Sequence, residues 1–525
     1  MLSTDVTAPE TAPAAPGQPG TLSQFASRSV PEHQAVAPYA EALTRHAARR
    51  PTSLMVPGHG GDATGAAAGL VDFLGERAVG LDISPMLNDV DLGPNSPLVQ
   101  AQRLAAEAWG ARRTWFMTNG ASQANRTAAL AVRGFGERIV SQRSAHSSFS
   151  DGVLLGGLIP SFVQPNVDDK HGISHGVTPA ALDAALSAQE AAGTPAASVY
   201  VISPSYFGSV SDVRGLADVA HAHGVPLIVD GAWGAHFGFH PELPESPVRL
   251  GADLVISSTH KLAGSLTQSA MLHLGDGPFA DRLEALVERA YTMTASTSTS
   301  ALLLGSLDVA RKAMMTSFDS IGASVQAARE LESAIRADDR FGIVGDHFFD
   351  FEDIVARDLL RVTVDVSGLG ASGHWVRDRL IEDHRIYFEM STATTIVAVI
   401  GGGKAPDTAL VVRALGQVAD AAAALPAEER ARMSEPFPKL PATGRLAMLP
   451  RDAFFGDTEV VSAEEAVGRI AADSLAAYPP GIPNVLPGEE ITRETVDFLR
   501  AVAASPTGYV RGAVDPLVSR FRVVR

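Results

Sequence analysis

Cysteine is missing from all 525 residues. Its absence excludes disulfides, thiolate catalysis, Fe–S clusters and Cys-bound zinc together, while saying little about compartment. Basic residues are in short supply, with 42 Lys and Arg against 59 Asp and Glu, a formal charge of −17. An acidic chain argues against nucleic acid or an anionic membrane as partner and leaves a small-molecule enzyme as the default. No run reaches about 18 uninterrupted apolar residues, and the N-terminal MLSTDVTAPETAPAAPGQPG lacks a basic segment followed by an apolar one. The expectation is a cytoplasmic protein.

The apolar fraction of 46% is that of a globular chain, and at roughly 100–200 residues per domain the length predicts two to four domains. Residues 1 to about 20, rich in Pro, Ala and Thr without periodicity, read as a frayed arm. From Pro51 onward short apolar runs alternate with amphipathic stretches. Leu98, Ala101, Ala105 and Ala108 share one helical face, and Arg113 to Thr118 then reads as a strand. Further strands are predicted at 138–141, 199–203, 226–230, 253–257 and 269–273. Strands so short and so apolar belong to a mostly parallel sheet covered by helices on both faces. A smaller α/β unit is predicted from about residue 336, with strands at 359–366 and 395–400 and a helix at about 374–384. Residues 436–441 resemble a linker, and the closely spaced prolines of 478–483 exclude helix there. The expected units are therefore an arm at 1–50, a large domain at 51–335, a small α/β domain at 336–435 and a C-terminal region at 436–525.

In an open parallel sheet, ligands lie beyond the carboxyl ends of the strands. Four such ends carry chemistry. The first runs into Asn119-Gly120-Ala121-Ser122, a glycine turn with a hydroxyl and free helix amides that suits a phosphate; the alternative is an ordinary turn with Ser122 as N-cap. The second delivers His146, a flat side chain or simply a satisfied histidine. The third ends in Asp230, which either caps a following helix or holds a cation. The fourth places Ser258, Thr259, His260 and Lys261 together, where a desolvated lysine could attack a carbonyl to give a Schiff base, or could merely be solvated. Together they supply what pyridoxal phosphate requires: a Schiff-base lysine, an acid for the pyridine nitrogen, a flat side chain for the ring and a phosphate cradle.

These residues resemble the fold type I pyridoxal-phosphate enzymes, and among them the Orn/Lys/Arg decarboxylases. The likeness spans roughly 51–492 and rests on Pro57-Gly58-His59-Gly60-Gly61, Thr118 to Ser122 with Asn125, Ser258 to Lys261 followed by Thr267-Gln268, Ser296-Thr297-Ser298, and the late cluster Tyr478-Pro479-Pro480-Gly481-Ile482-Pro483. The resemblance implies a mostly parallel seven-stranded sheet flanked by helices, with a smaller α/β domain after it. It implies that Lys261 tethers the cofactor, Asp230 pairs with its pyridine nitrogen, His146 stacks on the ring and Ala232 touches the other face. Gly120, Ala121 and Ser122, with Ser258, His260 and Trp233, would bind the phosphate. It also implies a homodimer with shared active sites, or a higher assembly, in which Thr297 or Ser298 reaches the partner subunit's phosphate.

Three positions depart from the family pattern. Ser147 stands where many relatives have Lys, Gly231 replaces an acidic or hydroxyl residue, and Ala121 replaces the usual Thr. The extra N-terminal wing domain of the large family members does not fit into about 50 residues. The implied reaction is decarboxylation of lysine, ornithine or arginine, with His146 and Lys261 both eligible to protonate the product carbon. A basic substrate side chain needs an acid, for which Glu389 and Glu489 are the candidates, each with a merely structural role as the alternative. Transamination or oxidative deamination with the same cofactor, and a non-catalytic pyridoxal-phosphate-binding regulator, are the competing functions. No metal site is predicted; His171 and His175 are four apart, but Gly172 argues against the helix that would align them.

Overall fold

The computed structural model describes residues 30–525 apart from 63, 434–439, 479–480 and 506–507. The expected arm at 1–20, most of the 436–441 linker and Pro479-Pro480 lie outside the described residues. The stretch before Pro51 is not an arm along its whole length. A helix at Pro38–Ala48 buries Tyr39, Ala42 and Leu43, and a buried Asp308–Arg311 pair holds it: Asp308 accepts from the Tyr39 amide at 2.9 Å and Arg311 donates to the Gln34 carbonyl at 2.6 Å.

The large sheet has seven strands: β1 (Arg113–Met117), β2 (Arg138–Gln142), β3 (Ile159–Val163), β4 (Ser198–Ile202), β5 (Leu227–Asp230), β6 (Leu254–Ser257) and β7 (Ala270–Leu274). Their spatial order is β1-β7-β6-β5-β4-β2-β3. All run parallel except β7, which is antiparallel to both neighbours. Side chains alternate along a strand, so each strand feeds two cores. Ile139, Tyr200, Ile228, Leu254 and Ile256 pack on one face, while Val140, Val199, Val201, Leu227, Val229 and Val255 pack on the other. This two-sided burial is why the strands read as continuous apolar runs.

Four helices position the site. Helix α1 (Pro97–Trp109) is capped by Ser96, starts at a proline and buries Ala101, Ala105 and Ala108, the predicted face. Helix α2 (Gly120–Val132) follows β1, α3 (Ser147–Gly156) follows β2, and the single turn α4 (Thr259–Leu262) follows β6.

Beyond the large sheet, β8 (Gly342–Ile343), β9 (Arg361–Asp365), β10 (Met390–Ser391) and β11 (Thr395–Val399) form a second sheet, ordered β8-β9-β11-β10 and antiparallel throughout. Helix α5 (Gly373–His384) packs on it through Val376 and Leu380. The C-terminal region contributes β12 (Thr458–Ser462), β13 (Leu475–Tyr478), β14 (Ile482–Val485), β15 (Tyr509–Arg511) and β16 (Arg520–Val524). β14-β13-β15 make a small antiparallel sheet, and β12 pairs with β16. A helix at Arg493–Ala504 closes this unit by burying Val496, Leu499 and Val502.

Candidate active site

Because β1, β2, β4, β5 and β6 are parallel, their carboxyl ends share one edge. Asp230 terminates β5 in register with Ile202 of β4 and Ile256 of β6. Its side chain is only 5% exposed. One oxygen accepts from the Ala232 amide at 3.1 Å; the other accepts from Asn125 Nδ2 at 3.0 Å and the Tyr200 hydroxyl at 2.7 Å. No helix follows for it to cap. Among the described residues no Arg, Lys or His lies within ion-pair distance. A buried carboxylate with three neutral donors and no cation is expensive unless a ligand brings the positive charge, and a protonated pyridine nitrogen does so.

Lys261 sits on α4, with its Nζ 3.7 Å from the centroid of the Trp233 ring. Burial pushes its amine down to about 8; Asp230 pulls the other way, Arg361 adds to the lowering and Glu389 opposes it. A lysine so placed holds a usable fraction of neutral amine near physiological pH. Its backbone is braced on both sides, by its own amide to the Ser258 carbonyl and by the Gly402 amide to the Leu262 carbonyl at 3.0 Å.

His146 caps α3, its Nδ1 accepting from the Ser148 amide at 3.1 Å and lying 2.8 Å from the Ser148 hydroxyl. Burial lowers its pKa to about 4, against the attraction of Asp230, so the ring is neutral at pH 7. Asn125 ties the two segments together, because its amide reaches both Asp230 and the Ser148 hydroxyl, the latter at 3.1 Å.

At the end of β1 the helix starts one turn earlier than expected. Asn119 occupies the N-cap without a side-chain cap bond and Gly120 opens α2. Ser122 is therefore not the cap; it lies in the first turn with Gly120 and Ala121. Gly120 has φ +74°, a left-handed backbone that a side chain at this turn would strain. Ser258 is buried and His260 half-buried, its pKa lowered by burial and then by Lys261. Trp233 is almost fully buried, and its indole Nε1 has no hydrogen-bond partner. At position 231 a Cβ would come within 3.2 Å of the Ile256 carbonyl oxygen, a tight contact that a small shift would relieve. Thr297 and Ser298 stand exposed between two helices.

The two candidate acids separate. Glu389 is exposed, on irregular chain just before β10 rather than after a strand at 386–388, and its charge acts on both Lys261 and Arg361. Glu489 is a structural partner and not a substrate ligand, the second of its two readings. It is 2% exposed, pairs with Arg143 at 2.9 Å and accepts the Leu486 amide at 2.9 Å. The remaining Arg143 bonds go to the carbonyls of Pro483 and Asn484. This ion pair docks the C-terminal unit on the end of β2.

Several groups at the site carry no local sequence motif. Tyr200 is one, its ring stacked on Phe149 with centroids 3.5 Å apart. A phenol in an otherwise apolar strand was the available signal. Arg361 of β9 is another. Fully buried, it lies 4.3 Å over the Trp233 ring, donates to the Tyr206 carbonyl at 2.6 Å and stands 3.6 Å from Asp358. Asp358 in turn meets His236 at 2.9 Å. Burial works to raise the Asp358 pKa, but His236 and Arg361 together hold it below the usual carboxylate range.

The profile described as Orn/Lys/Arg decarboxylase, major domain, matches residues 37–349, and that of the C-terminal domain matches 431–508. An arginine decarboxylase of Bacillus subtilis (strain 168) is 35% identical over 490 residues, covering 92% of this chain and 96% of its own. A lysine decarboxylase of Pseudomonas aeruginosa is 26% identical, covering 88% of this chain and 75% of its own. Among solved structures, lysine decarboxylase A from Pseudomonas aeruginosa has the same fold, with a TM-score of 0.78 at 22% identity over 94% of this chain and 81% of that one.

Proposed function

Because this chain belongs to the Orn/Lys/Arg decarboxylase family, we propose that it removes the α-carboxyl group of arginine as CO2 and puts a proton in its place. Lysine and ornithine are the next substrates in line. The observation that carries this reading is a buried amine, Lys261, with its pKa lowered to about 8, close enough to feel the charge of a buried Asp230 that has no ion-pair partner among the described residues. The 35% identity to a protein named arginine decarboxylase supports arginine.

Pyridoxal phosphate, when bound, supplies an electron sink for the bond to the departing carboxylate. Lys261 would be its covalent tether and Asp230 would accept the pyridine N–H, its carboxylate fixed in direction by Asn125, Tyr200 and the Ala232 amide. His146 and Ala232 would flank the ring. The first turn of α2 (Gly120, Ala121, Ser122), with Ser258, His260 and the unpartnered Trp233 Nε1, receives the phosphate. Glu389 takes the distal cation of the substrate. The proton for the α-carbon is assigned to Lys261 Nζ, with His146 as the other eligible donor.

The proposal extends to a cytoplasmic homodimer in which Thr297 or Ser298 reaches the partner subunit's phosphate. Leu54, Val56, Phe73 and Met86 leave large apolar surface uncovered on the single chain, which favours a covering subunit. Sedimentation of the purified protein tests the dimer.

The central test combines a substrate panel with Lys261→Ala. CO2 and the matching amine should form from arginine faster than from lysine or ornithine, and Lys261→Ala should lose on the order of 10³-fold or more in turnover. Borohydride should fix a pyridoxyl group on Lys261 of the wild type. Keto acid without CO2, or bound cofactor without turnover, would overturn the decarboxylase reading.

A further inference from the structure

The imidazole of His146 is set by its own helix terminus, since Nδ1 is held by the Ser148 amide and hydroxyl. Whatever fixes residues 147–148 therefore fixes the ring. Two contacts reach Ser147 from the far end of the chain. Its amide, one of those that α3 itself leaves unbonded, donates to the Gly481 carbonyl at 3.3 Å. Its hydroxyl accepts from Arg511 Nη1 at 2.5 Å. Ser147 is 4% exposed, so its hydroxyl needs such a partner.

Arg511 is carried to this position by construction. It closes β15, where it pairs with Ala476 of β13. The next residue, Gly512, turns the chain at φ +86°, and a Cβ there would lie 2.1 Å from the Ser474 carbonyl oxygen. Only glycine makes that turn. The same unit is locked to the end of β2 by the buried Arg143–Glu489 pair. The charge of Arg511 also acts on His146, in the same direction as burial and Lys261, keeping the imidazole neutral beside Asp230.

We propose that Arg511 is a positioning residue of the active site, reaching from the C-terminal sheet to hold Ser147 and, through it, the imidazole of His146 in place. The C-terminal unit is then part of the site and not an appendage. This inference rests on the proposed stacking role of His146, and its test is chosen so that the two can fail separately.

Arg511→Ala and Arg511→Lys are compared with wild type as cofactor-loaded enzymes. The expected result for Arg511→Ala is about a tenfold loss in kcat with KM changed less than about twofold. Its visible circular dichroism, which reports the tilt of the bound ring, should change, and the thermal midpoint should stay put. Arg511→Lys, which keeps the charge and a donor, should recover most of the signal and the rate. Wild-type dichroism and kcat in Arg511→Ala overturn the proposal. So does a loss of kcat that tracks a falling midpoint with unchanged dichroism, or one that lysine fails to rescue. If the wild type decarboxylates nothing, the functional reading falls, while the dichroism of bound cofactor still decides the role of Arg511.

Discussion

Two buried acids, one at the sheet edge and one at the C-terminal junction, are almost equally hidden, yet their surroundings are opposite. Asp230 at the end of β5 meets an asparagine, a tyrosine and a backbone amide, all neutral. Glu489 meets a guanidinium that is itself 5% exposed. Glu489 is electrically complete within the chain, and burial still works to raise its pKa against the opposing pull of Arg143. Asp230 is complete only when something cationic arrives. The lesson is that a hidden acid surrounded by neutral donors marks a binding place, whereas one facing an arginine marks a joint.

Removing each acid should break the comparison in opposite ways. Glu489→Ala strands the Arg143 charge away from water and should destabilise the protein by about 3–5 kcal/mol, read by chemical unfolding. Asp230→Ala removes a buried charge that has no ion-pair partner but leaves its donors unpaired, so the cofactor-free protein should lose clearly less stability than Glu489→Ala does. Its kcat/KM should nonetheless fall by the value of a charged hydrogen bond, about 1.5–3 kcal/mol or roughly 10–100-fold. A variant that unfolds readily at 230 and resists at 489 would invert the assignment. Tyr200→Phe is the finest probe. It deletes one of three donors to Asp230 while keeping the ring on Phe149, and should cost about 1 kcal/mol, close to fivefold in kcat/KM, with unfolding nearly unchanged.

The sheet and the placement of Lys261, Asp230 and His146 on one edge were legible because each rests on a local pattern: an apolar run followed at once by a polar residue. Membership of a cofactor-binding constellation followed from their common edge. The roles of Tyr200 and Asn125 lie in contacts across 30 and 105 positions, which no local pattern records. Glu389 and Glu489 looked alike as loop acids, and only the three-dimensional position of Arg143 tells them apart. Ser122 has the residue type of a cap, but the left-handed Gly120 puts the helix start ahead of it. Arg511 had no signal at all, since its target lies 364 positions away.

The reversed strand β7 has a consequence for the lysine. Since β7 runs back along β6, the segment between Ser257 and Ala270 leaves and re-enters the sheet at the same edge. Lys261 thus rides on a short tether with both feet anchored on adjacent strands. Its amine can swing through the reach of a four-carbon arm, but its backbone has nowhere to retreat, and each turnover must begin and end within that radius.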